Sequence, residues 1–214
     1  MNRILAAGVL AATTVSTAAF AGTSLCSQQT FNTNQVQNCG FETGDTTGWT
    51  VGGAAAAYAQ ATQYGVDNLD PNSGGYEFYA GPEGATPGTS GGTAGALELS
   101  QGFTFEANRT YQISFYITND TTPTTGYTNF FEATFDGAIL GTAITGASAF
   151  GYTEETYTVT TLAGLNTLAF YFQNDAGYWD LDDVSILEIP EPASLAMFGL
   201  GAAGLLAFAR RRTV

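Results

Sequence analysis

Nineteen acidic residues stand against five arginines, with no lysine and no histidine, for a formal net charge of −14. That inventory removes whole classes of chemistry. A Ser-His-Asp or Cys-His site needs a histidine to carry the proton. Schiff-base and Ser-Lys mechanisms need a lysine. No glycine-rich loop is followed by a phosphate-binding lysine. What remains is carboxylate chemistry. Paired carboxylates can hydrolyse glycosides, but among so many acids some pair always lies at a suitable distance, so catalysis is not expected. Carboxylates can also hold a hard cation such as Ca²⁺, or they can simply keep an exported surface soluble. A surface this short of Lys and Arg is a poor partner for nucleic acid.

Aromatic faces beside amides and carboxylates are what a sugar ring needs. The ligand-binding candidates are Tyr116, Tyr127, Tyr178, Trp179 and Asn174. They come from a wider pool that includes Tyr58, Tyr76, Tyr79, Phe130, Asn119 and Asn129. In the run Tyr111–Ile117, residues Ile113, Phe115 and Ile117 share one face, so Tyr116 belongs to the other. Most aromatics of such a domain will be core.

These residues must be positioned by a β-rich body. Gly, Thr, Tyr and Phe are abundant, and apolar and polar residues alternate. The spacing predicts strands at Ala96–Ser100 continued by Phe103–Phe105, at Tyr111–Ile117, Phe131–Phe135, Thr156–Thr161, Leu168–Gln173 and Trp179–Ile189. Asp136-Gly137 predicts a tight turn into Ala138–Thr142. Gly164-Leu165-Asn166 reads as a turn between two strands. Asp67–Gly95 reads as a long Gly/Pro-rich excursion with a short strand at Tyr76–Tyr79, and Thr118–Thr128 as a polar loop. Short strands separated by turn residues predict an all-β sandwich.

Both termini read as addresses. Arg3, an apolar stretch and Ala19-Phe20-Ala21 fit a secretory signal peptide over residues 1–21. At the other end, Pro190-Glu191-Pro192 precedes an apolar run of 17 residues, Ala193–Ala209, and then Arg210, Arg211 and Arg212. As a helix that run would reach about 25 Å at ~1.5 Å per residue, near the lower limit for a bilayer core of roughly 30 Å. The arginines would stay on the cytoplasmic side. Between the addresses lie residues 22–189, a single domain by length. It holds 18 acids and one cation, Arg109, for a formal charge of −17. Cys26 and Cys39 are expected to form a disulfide in an oxidising compartment.

The tail, from Pro190-Glu191-Pro192-Ala193-Ser194 through the Gly/Ala/Leu-rich span to the Arg cluster, resembles the PEP-CTERM sorting signal. That resemblance implies an exosortase-like processing enzyme as partner, a transient inner-membrane stage through the C-terminal helix, and a final place in the cell envelope or outside it. In the body, Asn38-Cys39-Gly40-Phe41-Glu42 with Gly48-Trp49, Ala107–Phe115, and Leu181-Asp182-Asp183-Val184-Ser185-Ile186 resemble the carbohydrate-binding-module type of jelly roll, a galactose-binding-like sandwich. The resemblance implies first and last strands side by side and a structural Ca²⁺ at their end, held by Glu42 with one or both of Asp182 and Asp183. Strand parity places Asp182 with Val184 and Ile186, pointing inward. Together these readings give an exported, non-catalytic protein that binds or structures extracellular polysaccharide. The alternatives are a surface structural protein without specific glycan binding and a carboxylate-dependent glycan-active enzyme.

Overall fold

The computed structural model describes residues 24–27, 33–57, 63–82, 92–123, 128–174 and 177–189. The expected signal peptide, Tyr58, Tyr127, the Pro190-Glu191-Pro192 motif, the apolar run and Arg210–Arg212 lie outside the described residues.

Eleven strands alternate with turns: β1 Thr50–Gly52, β2 Tyr64–Asp67, β3 Glu77–Ala80, β4 Leu97–Phe105, β5 Thr110–Asn119, β6 Phe130–Phe135, β7 Ala138–Ile139, β8 Ile144–Thr145, β9 Phe150–Thr160, β10 Gly164–Gln173 and β11 Trp179–Glu188. Among the described residues, one turn of α-helix, α1, covers Gly92–Gly95, and short 3-10 turns cover Leu25–Ser27 and Ala55–Ala57. The strands form two antiparallel sheets. One runs β1-β4-β10-β6-β7, with β8 also on β6, and the other runs β2-β3-β11-β5-β9. This is the expected sandwich.

Alternation fixes which side chains fill the space between the sheets. Leu97, Leu99, Phe103 and Phe105 of β4 are buried, as are Leu168, Phe170 and Phe172 of β10. Ile113, Phe115 and Ile117 of β5 face them, with Trp179, Leu181, Val184 and Ile186 of β11. Each such side chain contributes about 1.5–3 kcal/mol on full burial. The Asp136-Gly137 turn is as expected, with both residues at positive φ (51° and 76°), the hairpin geometry that suits these residue types.

Three expectations are corrected. First, β10 begins at Gly164, so the β9–β10 turn is Thr161–Ala163. Leu165 and Asn166 are already paired with Thr104 and Phe103. Second, the first strand, β1, pairs with β4 and does not lie beside β11. The edge of β11 beyond β3 is taken instead by the segment 34–39, whose Gln35 N–H donates to Ile186 and whose Cys39 carbonyl accepts from Val184. Third, β11 does not keep one parity. Asp182 pairs with Tyr116, but Ser185 pairs with Ser114, so β11 holds one extra residue there. This β-bulge sits at Asp183, with φ 51°, and it exchanges the two faces of the strand. Trp179 and Leu181 face the core before it, Val184 and Ile186 after it. Asp182 therefore shares the outer face with Tyr116 and does not point into the core.

Candidate functional site

The outer face of the five-stranded sheet carries a cleft of about 250 Å³. Asp180 stands at its floor, opposite Tyr79 of β3 on one side and Thr118 of β5 on the other. It is there because Trp179 and Leu181, its neighbours along β11, both point into the core. Tyr79 and Tyr178 meet edge to face with centroids 5.4 Å apart. Asp67, Asp70, Glu77, Asp120 and the exposed Leu69 complete the walls.

Several contacts hold this geometry. The Tyr178 N–H donates to Asp120 Oδ1 at 2.6 Å, and the Asp120 N–H donates to the Tyr178 carbonyl at 3.1 Å. Gly81 permits the approach of the Tyr178 loop, because a Cβ there would fall 2.0 Å from the Gly177 carbonyl oxygen and 2.6 Å from Tyr178 Cδ1. Glu77 Oε1 accepts from the Asp70 N–H at 2.9 Å, and Oε2 accepts from the Tyr152 hydroxyl at 3.1 Å. Tyr152 reaches from the edge strand β9 to a residue of β3, across β5 and β11.

The cleft concentrates carboxyl groups in a partly desolvated place. Burial pushes the Glu77 carboxyl up to about 7, with neighbouring Asp67 adding to the rise. Burial pushes Asp180 up to about 8, reinforced by Glu77, Asp120, Asp67 and Asp70. Burial also raises the Tyr79 phenol, helped by Asp67. Such a surface offers acceptors for hydroxyl or ammonium donors and aromatic edges beside them. It repels carboxylate, sulfate and phosphate groups.

The second acidic group lies under the 68–76 loop. Asp183 is almost fully buried and fully engaged. Its Oδ1 accepts from the Ser24 hydroxyl at 2.5 Å, the Cys26 N–H at 3.2 Å and the Ser73 hydroxyl at 2.8 Å. Its Oδ2 accepts from Asn72 Nδ2 at 2.8 Å and the Ser73 hydroxyl at 2.7 Å. Asp182 accepts one donor on each oxygen, the Asp183 N–H at 2.7 Å and the Ser73 N–H at 3.1 Å. Burial and the Asp183 charge beside it push the Asp182 carboxyl up to about 9. Glu42 accepts from the Gly75 N–H at 3.0 and 3.1 Å and from the Tyr76 N–H at 3.3 Å. The segment 24–27 is fastened over this network by the Cys26–Cys39 disulfide, with S–S 2.01 Å.

These contacts also test the fit to Ca²⁺. Glu42 and Asp182 both border the 73–76 loop. A Cβ on Gly74 would fall 2.0 Å from Glu42 Oε1, so the Glu42 carboxylate packs directly against that glycine. Asp183 turns away from them into the Ser24–Asn72–Ser73 donors. Among the described residues, no three acidic or cysteine side chains are grouped to hold a metal. Glu42, Asp182 and Asp183 are therefore not gathered as a ready-made metal site.

The sugar-contact candidates separate. Tyr178 lines the cleft, and Tyr116 lies half-buried on the same outer face. Trp179 is a correction. It is 0% exposed, packs against Phe131 and Phe150, and donates its ring N–H to the Gln173 carbonyl, so it has no face left for a ligand. Asn174 is also 0% exposed. Its Nδ2 donates to Asn119 Oδ1 at 2.9 Å while its own Oδ1 has no partner. The cleft acids Asp67, Asp70, Glu77, Asp120 and Asp180, and Tyr152, were not singled out from the sequence. Parity alone could have found Asp180, since it lies between two core residues.

Residues 188–212 match the PEP-CTERM protein-sorting motif. This marks the chain as exported with a C-terminal sorting signal, and the motif implies an exosortase as processing partner. No curated protein is similar to the chain in sequence. Among solved structures, it is similar to TmCBM61 in complex with β-1,4-galactotriose, at 18% identity and a TM-score of 0.48, over 73% of this chain and 99% of that one. It is similar to the CBM22-1 xylan-binding domain of Paenibacillus barcinonensis Xyn10C at 16% and 0.48, over 71% and 92%. It is also similar to the enzymatically active domain of tailspike protein 4 of Bacteriophage CBA120, at 17% and 0.46, over 73% and 21%.

Proposed function

We propose that this exported protein binds extracellular polysaccharide, without catalysis, in the cleft on the outer face of its five-stranded sheet. The observation that carries the reading is the Tyr79–Tyr178 pair set among carboxylates on a fixed strand surface. Tyrosine presents apolar area at low entropic cost, and the acids accept from sugar hydroxyls. The lack of cations in the cleft selects neutral or amino-bearing sugars over uronic or sulfated ones. A glycan array probed with the 22–189 body tests this. Retention of neutral or amino glycans supports it. Binding to none of them would favour a surface structural role instead.

We further propose that Glu42 and Asp182 take a structural Ca²⁺, with backbone carbonyls and water completing the 6–8 oxygens such an ion needs and Asp183 supporting from behind. An ion there would neutralise two carboxylates that now rest on N–H donors alone. Thermal melting in calcium and in chelator, at matched ionic strength, is the check. A higher Tm in calcium that Asp182→Ala abolishes is expected. Equal melting temperatures would remove the ion and leave the cleft reading intact.

A further inference from the structure

The sorting motif begins inside the folded body. Its match starts at residue 188, while β11 runs to Glu188. The Ile189 N–H still donates to the Thr110 carbonyl at 2.8 Å. Only residues 190–192 separate Ile189 from the apolar run that starts at Ala193. Four Cα–Cα steps span at most about 14 Å. With the apolar run in the bilayer, this end of the sandwich has no room to stand away from the membrane.

That same end carries exposed apolar side chains. Leu162 is 69% exposed, Leu165 75% and Ile189 40%. Hydrogen bonds join their segments to one another. The Asn108 N–H donates to the Thr161 carbonyl, and the Thr161 N–H donates to the Arg109 carbonyl, both at 2.9 Å. The leucines are held on a rigid mount. Asn166, itself 0% exposed, accepts from the Leu162 N–H at 3.3 Å and donates to the carbonyls of Leu162 and Gly164 at 3.1 and 2.9 Å. Arg109, the one cation of residues 22–189, is also here. It bridges Glu106 at 2.8 Å and Glu188 at 3.5 Å, offsetting the acids of this end.

We propose that this end of the sandwich rests on the lipid surface while the tail is attached, with Leu162 and Leu165 dipping into the interface beside the Ile189 junction. A short apolar tip of this kind binds a bilayer weakly alone. The tail makes the contact intramolecular and so raises its effective concentration. The inference goes beyond polysaccharide binding and rests on the tail lying in the bilayer. The cleft lies toward the opposite end of β11, near Trp179, about 30 Å away at ~3.3 Å per residue. The body would then stand on the membrane with its cleft directed outward.

The test uses the full chain in vesicles of phosphatidylethanolamine and phosphatidylglycerol. Single cysteines, Leu162→Cys or Leu165→Cys, are labelled with an environment-sensitive fluorophore without reductant, so that Cys26–Cys39 stays bridged. Leu69→Cys, 77% exposed in the cleft, is the reference. Blue-shifted emission and quenching by lipid-borne nitroxide at positions 162 and 165, several-fold above position 69, are expected. Unchanged thermal melting of each variant shows that the body is folded. Equal, water-like signals at all three positions would overturn the proposal, as would failure of the full chain to float with the vesicles. Shielding that appears only when a processing enzyme is added would show a protein surface over the leucines and also overturn it. None of these outcomes bears on glycan binding.

Discussion

Asp180 and Asp183 stand three residues apart on one strand and have opposite surroundings. Asp183 is enclosed by donors from Ser24, Cys26, Asn72 and Ser73. Asp180 has acids and tyrosines for neighbours in an open cleft. The bulge at Asp183 makes the difference, turning one carboxylate under the 68–76 loop and leaving the other on the outer surface. Acidity alone does not mark a binding site in a chain with 19 acids. What distinguishes the two regions is whether the carboxylate's hydrogen-bonding capacity is already spent within the protein. A satisfied acid fixes the fold, and an acid facing an open, aromatic-lined cleft is free to meet a ligand.

The largest effect that would sharpen this contrast is Asp183→Ala. Four donor groups would lose their acceptor, and stability should drop by about 4 kcal/mol. Urea denaturation of the 22–189 body measures it. A loss under ~1 kcal/mol would mean that the network is not structural. Removing the disulfide with Cys26→Ser and Cys39→Ser together should cost about 3 kcal/mol, because the 24–27 segment would no longer be fastened over Asp183. The same denaturation series reads this, and an unchanged midpoint would show that the segment is held without the bridge.

The open cleft should show itself through pH. Burial raises Glu77 from 4.5 to about 7 in the folded chain. Between those values the folded state keeps a proton that the unfolded chain has released. Stability from this group is therefore full below about pH 4.5 and is lost as pH rises through about 7. Glu77→Gln should flatten the fall across that window, as measured by Tm at a series of pH values. An identical slope in the variant would place the pH sensitivity elsewhere.

Much of the sandwich was legible in the sequence because two-residue alternation is a strong local signal. Leu97, Leu99, Phe103 and Phe105 show it in β4, and the Asp136-Gly137 turn announced itself by residue type. The cleft was legible only in fragments. Tyr178 was found, but Asp67 and Glu77 pair with each other locally, and only the β3–β11 pairing, which sets Tyr79 opposite Asp180 across about a hundred residues, brings them to the cleft. Parity failed at Asp182 because one residue in the left-handed region, Asp183, shifts the phase of β11, and no local pattern announces a bulge. Trp179 misled for a related reason. A tryptophan beside a polar loop looks like a ligand platform, whereas its strand turns it into the core against Phe131 and Phe150.

The most direct test of the account is titration calorimetry of the 22–189 body against the polysaccharide it retains, comparing wild type, Tyr178→Ala and Asp180→Asn with their denaturation curves alongside. The account predicts that both variants lose binding while Tyr178→Ala changes stability by less than about 1 kcal/mol and Asp180→Asn, which removes a carboxyl held above its usual range by burial, does not lower it. Wild-type affinity in both variants, with the fold intact, would contradict the assignment of the cleft as the site.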